Sequence, residues 1–211
     1  GWHDDISDGP VTATVTLNGQ ANPIPVLPAW VLCPPPDFAP SIDSITTLYD
    51  VLFQVAVNKG FLTAPAKPSF TNDIFPILNR VQVLMNVNQN VASGHSTFSS
   101  AFPPGGTAAA RLAIFNRLRD PNNINGPASA DMPLLWNDDN AGLLTVSKLQ
   151  YAAMLKWKGI EGTDWTNDWT GVPPPPATDI TPDGLTRAAL EACVGAAFYP
   201  GIEASWFLRD V

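Results

Sequence analysis

The N-terminal part of the chain has an alternating pattern that predicts a β-hairpin. Residues 10–17 alternate apolar side chains with threonines, which is the two-residue period of a half-buried strand. Asn18-Gly19 follows, and this dipeptide is typical of a tight hairpin turn. Residues 29–33 predict a second short strand, which ends at three consecutive prolines, residues 34–36. We therefore expect a small antiparallel sheet near the N-terminus.

The remainder of the chain has apolar positions at helical spacing, and this pattern predicts five helices. Caps and breakers set their expected limits: 41–59 before Gly60, a second after Thr71 or Asn72, 107–119, 145–157, and a last one from Thr181-Pro182 to Cys193. The side chains expected to face the core, in chain order, are Ile45, Leu48, Tyr49, Leu52, Val55, Ala56, Ile74, Ile77, Leu78, Val81, Leu84, Ala110, Ile114, Phe115, Leu118, Leu149, Ala152, Ala153, Leu155, Leu185, Ala188, Ala189 and Ala192.

Composition narrows the class of protein. The 211 residues are 45% hydrophobic and 14% charged and include 22 prolines, so a globular fold with many breaks is expected. The predicted class is α+β: mostly helices and long Pro/Gly-rich loops with the small sheet described above. Residues 1–211 are expected to form a single domain, or part of a larger catalytic domain that another polypeptide completes.

Charge and hydropathy exclude two classes of partner. The net charge of −8 argues against a nucleic-acid partner, because binding to phosphates needs a basic face. No run of residues approaches the roughly 18 apolar residues of a membrane span, so no membrane partner is expected. An extracellular location is favoured over a cytoplasmic one.

The N-terminal segment contains side chains that bind metals in other proteins. His3, Asp4, Asp5 and Asp8 lie close together, but their spacing matches neither a zinc site nor a calcium loop. Aspartates before Gly-Pro are typical of turns, which is the better interpretation. We expect no metal.

Three tryptophans and a histidine are further candidates for a binding site. Trp157, Trp165 and Trp169, interleaved with acidic residues, suit a sugar-stacking platform or a hydrophobic core, and the core is favoured. His95 lies in a loop context and is expected at the surface. No phosphate-binding glycine loop, His-Glu-x-x-His or Gly-x-Ser-x-Gly is present, so flavin and nicotinamide cofactors have no support.

Cys193 is the most informative candidate. It ends an amphipathic helix and precedes a glycine, two alanines, two aromatics and the Pro200-Gly201 turn. This arrangement presents a thiol at a fixed point. The alternative is that a lone cysteine in an Ala/Leu-rich helix is a small buried hydrophobe, and the pattern leaves this open. It also leaves open whether Cys33 and Cys193 form a disulfide.

The segment around Cys193 resembles the cysteine-bearing segment of the cysteine tryptophylquinone amine oxidases, the family of lysine ε-oxidase and glycine oxidase. Other segments are similar to that family in order and spacing. They are residues 1–11, 35–40, 45–50, 72–78 and 132–135. The resemblance therefore covers nearly the whole chain.

The resemblance implies oxidative deamination of a primary amine or amino acid by dioxygen, with release of hydrogen peroxide and ammonia. It implies that Cys193 is bonded through its sulfur to the modified tryptophan of the quinone cofactor. In the family this tryptophan lies well downstream of the cysteine, and Trp206 matches a different position. The chain begins at Gly1 and ends soon after Trp206, so we expect a subunit or fragment. A second polypeptide, or the remainder of a precursor, is expected to supply the tryptophan.

The resemblance also bears on the catalytic acid. The family places an aspartate one helical turn before the cysteine, where this chain has Ala189. Of the nearby acids, Asp183, Glu191 and Glu203, we expect Glu203 to be catalytic because it follows a turn that can bring it back toward Cys193. A structural contact of Glu203 is the alternative. The missing acid and the tryptophans support a second hypothesis, a non-catalytic binding protein, lectin-like or defensive, on the same scaffold.

Overall fold

The structure is a computed structural model that describes residues 7–33, 42–83, 106–123, 132, 145–172 and 180–195. Within these ranges the chain forms a small N-terminal sheet arrangement followed by five α-helices, which confirms the α+β class. The strands are β1 (Ser7–Val11), β2 (Thr14–Val15), β3 (Ile24–Pro25) and β4 (Ala29–Cys33). The helices are α1 (Leu48–Asn58), α2 (Phe75–Val83), α3 (Ala108–Phe115), α4 (Lys148–Trp157) and α5 (Pro182–Ala192).

The four strands form an antiparallel β-ribbon, residues 7–33. Ser7 lies opposite Cys33 and Val11 opposite Ala29 in the β1–β4 pair, and β2 pairs with β3. The expected turn is present, with positive φ at Gly19. The β2–β3 pairing stops well before this turn, so the loop of the hairpin is longer than the dipeptide predicts. The apolar side chains along the β-ribbon are largely exposed, and β4 contacts α5.

Hydroxyl side chains fix the beginnings of four helices. Each accepts a hydrogen bond from the backbone N–H three residues later, as an N-cap does. The caps are Thr47, Thr107, Ser147 and Thr181. Helix α1 begins later than predicted, because Thr47 and Asp50 form a complete capping box that ends the non-helical segment before it. A second capping box places the start of α4 after Ser147 and not at Thr145.

A π-helical turn, Phe70–Ile74, precedes α2 and is capped by Ser69, where Thr71 or Asn72 was predicted as the cap. Pro76 is the second residue of α2, a position that tolerates its missing N–H. The proline ring would collide with the carbonyl of the residue four positions earlier in a regular helix, and the wider turn avoids that contact.

The main core is aromatic and lies between the π-helical turn, α2, α3 and α4. Phe70, Trp157 and Trp165 are completely buried in it, and Trp169 packs its ring 4.4 Å from that of Phe75. The other buried members are Ile74, Ile77, Leu78, Phe115 and Met154. The core interpretation of the tryptophans is confirmed, and a sugar-stacking platform at Trp157 or Trp165 is wrong because neither ring reaches solvent.

Several side chains predicted to face the core are exposed. Leu52 and Val55 of α1 are 44% and 46% exposed, and Leu155 of α4 is 45% exposed. On α5 the whole predicted face is exposed, at Leu185, Ala188, Ala189 and Ala192. Periodicity identifies an apolar face but does not identify what covers it, and the described elements that α5 contacts are α1 and β4. Leu84 lies outside the described residues.

Among the described parts of the chain, no helix is both long and apolar enough to cross a bilayer.

Candidate functional site

Helix α5 delivers Cys193 to the site. Thr181 caps the helix and Pro182 is its first residue, a position where the fixed φ of proline suits a helix. The helix ends at Ala192, and Cys193 has extended backbone angles, with φ −89° and ψ 142°. The prediction that the cysteine lies at the C-terminal end of this helix is confirmed.

Main-chain hydrogen bonds hold the residues that follow the helix against the start of α1. The N–H of Leu48 donates to the carbonyl of Cys193 at 2.9 Å, and the N–H of Gly195 donates to the carbonyl of Thr46 at 3.0 Å. Val194 thereby lies opposite Thr47 in an isolated antiparallel bridge. We call residues 193–195 the cysteine turn. Both of its ends are therefore held by backbone hydrogen bonds to the segment at the N-terminus of α1.

The cysteine turn approaches α1 so closely that only glycine fits at position 195. A Cβ atom placed there would lie 2.0 Å from the carbonyl oxygen of Thr47 and 2.2 Å from its carbonyl carbon. Both atoms belong to the backbone and cannot rotate away, as a flexible side chain would. Gly195 is thus required by the approach of two backbones.

The thiol of Cys193 is enclosed and hydrogen-bonded. Its Sγ donates to the carbonyl of Ala189, one helical turn earlier, at 3.0 Å, and the residue is 7% exposed. Burial raises the pKa of the thiol because the thiolate is poorly solvated there. The group is therefore held as a neutral thiol. Cys33 is exposed, and the two cysteines are not bonded to each other.

A buried polar network supports the segment of α1 that holds the cysteine turn. One carboxylate oxygen of Asp50, Oδ2, accepts hydrogen bonds from both the N–H and the hydroxyl of Thr47, at 2.9 and 3.1 Å. The same oxygen accepts from Arg80 Nη1 at 2.7 Å and from Gln150 Nε2 at 3.0 Å. Gln150 also donates to the carbonyl of Ile45. Helices α1, α2 and α4 therefore meet at one carboxylate.

The network continues to α5 through Glu191. Its carboxylate lies 3.8 Å from Arg80 Nη2 and accepts a hydrogen bond from Arg187 Nε at 2.8 Å. The guanidinium of Arg187 lies 4.8 Å from the centre of the Tyr49 ring. Burial alone would lower the pKa of Arg187, but the hydrogen bond to Glu191 holds it above its ordinary value. Glu191 is therefore occupied by two arginines.

The structure places the predicted acids as follows. The position one turn before the cysteine, Ala189, contributes its carbonyl to the thiol and carries no carboxylate. Glu191 contacts the arginines, as expected for a residue on another face of the helix from Cys193. Glu203 and Trp206 lie outside the described residues. The role of Glu203 thus stays a prediction.

Asp50, Arg80 and Gln150 were not among the predicted site residues. The Thr-x-x-Asp pattern at residues 47–50 is a capping-box signature and would have drawn attention to Asp50. No local signal marks Arg80, because a charged residue in an amphipathic helix is ordinarily solvated. Its burial follows from the meeting of three helices.

A cleft of about 280 Å³ lies beside the network. It is lined by apolar residues such as Phe53, Pro65 and Leu149 and by charged residues that include Asp73 and Arg187. Cys193 does not line it. The cleft therefore borders the support of the cysteine turn and not the thiol.

The turn predicted for the aspartates before Gly9-Pro10 is wrong at Asp8, because Ser7–Val11 forms strand β1 and Asp8 lies opposite Leu32. Asp8 accepts a hydrogen bond from the indole Nε1 of Trp30 across the β-ribbon, at 3.2 Å. His3, Asp4, Asp5 and His95 lie outside the described residues. Among the residues that the structure describes, no group of three or more His, Cys, Asp or Glu side chains could hold a metal ion.

Comparisons with known proteins identify the family of this chain. Residues 127–211 match the family profile described as the L-lysine epsilon oxidase C-terminal domain, and residues 1–33 match the one described as L-lysine epsilon oxidase N-terminal. The two profiles together match more than half of the chain. L-lysine 6-oxidase of Marinomonas mediterranea is 27% identical over 248 aligned positions, which cover 99% of this chain and 34% of that protein.

Solved structures show the same fold. A crystal structure of the Schiff base intermediate of L-Lys epsilon-oxidase from M. mediterranea with L-Lys matches with a TM-score of 0.63 at 24% identity, over 95% of this chain and 34% of that one. A second structure of the ε-lysine oxidase from that organism matches with a TM-score of 0.61 at 23% identity, over 94% and 35% of the two chains. The chain spans about a third of the length of these relatives. It belongs to the L-lysine ε-oxidase family.

Proposed function

We propose that this chain contributes the cysteine half of a cysteine tryptophylquinone cofactor to an oxidase that deaminates a primary amine or amino acid with dioxygen. The observation that carries the proposal is the setting of Cys193. Its thiol is buried at a helix end, and backbone hydrogen bonds at both ends of the cysteine turn fix it against α1. A side chain that packs only as a small hydrophobe needs no such double fixation.

The residues present fit a tethered ring. Ala189 and Ala192 precede Cys193 on α5, and both are small and exposed, so no bulky side chain at these two positions would obstruct a planar group bonded to the sulfur. When bound, a quinone of this class accepts two electrons from a primary amine and returns them to dioxygen. Cys193 would hold the ring at a fixed position. Before the bond to the ring forms, the raised pKa of the thiol keeps the sulfur protonated and therefore a weak nucleophile.

We also propose that a second polypeptide, or another part of a longer product, supplies the partner tryptophan and covers α5. The face formed by Leu185, Ala188, Ala189 and Ala192 has the spacing of a buried helix face, and Leu185 is 58% exposed. Exposed apolar faces of this kind are typical of interaction surfaces. The relatives are about three times longer, which leaves ample chain to form such a cover.

The cofactor is tested by counting thiols in the native assembly after denaturation and reduction. We expect one titratable thiol, from Cys33, because a thioether at Cys193 resists the reducing agents that open a disulfide. A visible absorbance band and a tryptophan-bearing peptide attached to Cys193 should accompany it. Two titratable thiols per chain would contradict the proposal.

Glu203 is proposed as the general base that removes the α-proton of the substrate. Its replacement in Glu203→Gln keeps the size of the side chain and should lower turnover by a factor of about 100 or more, the scale for losing a general base. Asp183→Asn is the matched control, because Asp183 is exposed and lies in the first turn of α5, at the opposite end of the helix from Cys193. Unchanged peroxide release in Glu203→Gln would exclude this role.

One observation favours a second candidate function, a non-catalytic binding protein on the same scaffold. The helix position one turn before Cys193 has no carboxylate, and the nearest described acid, Glu191, is engaged by Arg80 and Arg187. The buried tryptophans give this hypothesis no sugar-binding surface. Absence of peroxide from the native assembly with a panel of primary amines and amino acids, together with a free Cys193 thiol, would support it.

A further inference from the structure

We infer that Arg80 is the positioning residue for Cys193, because it holds together the two helices whose ends meet at the cysteine turn. Arg80 touches neither the thiol nor any atom of residues 193–195 by a hydrogen bond. It acts through Asp50 on one side and Glu191 on the other. In its bearing on the cofactor, the inference rests on the function proposed above.

Arg80 acts on the α1 side of the contact through Asp50. Arg80 Nη1 lies 2.7 Å from Asp50 Oδ2, the oxygen that also accepts from the backbone N–H and the hydroxyl of Thr47. Thr47 is completely buried and lies between Thr46 and Leu48, which make the two hydrogen bonds to the cysteine turn. The guanidinium therefore fixes the carboxylate that fixes the segment to which the turn is bonded.

Arg80 also approaches the α5 side of the contact, at Glu191. Arg80 Nη2 lies 3.8 Å from the carboxylate of Glu191, which is two residues before Cys193 in the last turn of α5. Arg80 thus attracts one carboxylate on α1, that of Asp50, and one on α5, that of Glu191. The Arg80 side chain is 7% exposed and that of Glu191 is 34% exposed, so solvent partly screens this attraction. Removing Arg80 also leaves Asp50 as a largely buried charge with one partner fewer.

Neither Arg187 nor Gln150 makes the same pair of contacts as Arg80. Arg187 also contacts Glu191, but its side chain is half-exposed and its other contact is the Tyr49 ring. Gln150 also contacts Asp50, but it is neutral and belongs to α4, which does not carry the cysteine. Among these side chains, Arg80 is the one that contacts a carboxylate of both α1 and α5.

The test measures the state of Cys193 in the native assembly, with Cys33→Ser as the common background so that one cysteine remains. The variants are Arg80→Met, which keeps the aliphatic part of the side chain, Arg80→Lys, and Met154→Ala. Met154 lies in the main core, to which Cys193 does not belong, so its variant lowers stability without touching the network. Native and denatured samples are treated with iodoacetamide, at urea concentrations that give the variants equal free energies of unfolding.

If the denatured parent protein shows no thiol, the cofactor proposal stands. The readout is then the fraction of each variant in which Cys193 is still a free thiol, without the thioether bond. We expect the fraction of free Cys193 thiol to be at least about ten times larger in Arg80→Met than in Met154→Ala, because a displaced turn no longer presents the sulfur at a fixed point. Where denatured parent protein shows a thiol, the cofactor proposal fails, and the readout is the rate of native labelling. The same factor of about ten is then expected, through local opening of the turn.

Arg80→Lys retains a charge that can contact one carboxylate, so it should fall between the parent and Arg80→Met in either readout. Equal values for Arg80→Met and Met154→Ala would overturn the inference, because they would show that Arg80 contributes only to global stability.

Discussion

At the scale of single residues, the cysteine turn depends on a glycine that makes no side-chain contact. Gly195 allows the backbones of residues 46–48 and 193–195 to pair, and any larger residue would overlap the carbonyl of Thr47. This requirement comes from backbone proximity. It does not come from a left-handed conformation, since Gly195 is not among the glycines with positive φ.

Gly195→Ala is therefore expected to lower the free energy of unfolding by about 2 kcal/mol or more, within the range for forced overpacking. Gly9→Ala is the matched control, because a Cβ at Gly9 meets no atom within 4 Å and its φ is ordinary. Urea denaturation of both variants measures the difference. A midpoint for Gly195→Ala equal to that of Gly9→Ala would show that the turn moves away at little cost.

At the scale of elements, two aspartates at the π-helical turn have pKa values displaced in opposite directions. Burial raises the pKa of Asp73, which outweighs the hydrogen bond that its carboxylate accepts from the N–H of Ser69 at 2.7 Å, and the charge of Asp168 adds to the rise. Burial alone would also raise the pKa of Asp168, but hydrogen bonds from the Ser69 hydroxyl and the Thr71 N–H lower it. Ionisation of Asp73 thus opposes folding, whereas ionisation of Asp168 favours it.

The raised pKa of Asp73 predicts how the free energy of unfolding changes with pH. The folded state holds the Asp73 proton more tightly than the unfolded state, so stability falls as the pH rises from the ordinary value of 3.8 through the raised pKa. Asp73→Asn, whose amide oxygen can still accept from Ser69, removes this fall. Its urea midpoint at pH 7 should equal or exceed that of the parent.

Asp168→Asn should behave in the opposite way. A lowered pKa stabilises the folded state above the ordinary value of 3.8, and that contribution is lost as the pH falls through the lowered pKa. The variant should be less stable than the parent at pH 7, and the difference should shrink below about pH 3.8. Parallel urea titrations at pH 7, 5 and 3 test both variants. Equal losses in Asp73→Asn and Asp168→Asn at pH 7 would contradict the assignment.

At the scale of the whole molecule, stability depends on the aromatic core, to which α4 contributes through Met154 more than through Leu155. Met154 is completely buried between the tryptophans and Phe70, whereas its neighbour Leu155 is 45% exposed. Met154→Ala should cost about 2–5 kcal/mol, because it removes buried methylene groups and leaves a cavity. Leu155→Ala should cost about 1 kcal/mol or less. Thermal or urea unfolding of the two variants distinguishes them, and similar losses would show that Leu155 is covered in the native assembly.

The comparison of sequence and structure shows which features local patterns can predict. Caps, breakers and alternation identified the five helices, strand β4, and Cys193 at the end of α5, because these signals act over a few residues. The Asp50–Arg80 contact and the close approach at Gly195 join segments far apart in sequence, so no local pattern predicts them. The exposed face of α5 shows the same limit, since periodicity does not say which segment of chain completes the packing.

The pairing of the cysteine turn with α1 also has a consequence for the order of events during folding. Leu48 and Cys193 are separated by more than half of the chain, so their hydrogen bond closes a very long loop. Contacts of this kind carry a high entropic cost and form slowly compared with the helices that they connect. We therefore expect the sulfur to reach its position after the helices between residues 48 and 192 have assembled. A covalent bond made at this sulfur would be a late event, and it would lock a topology that the chain had already completed.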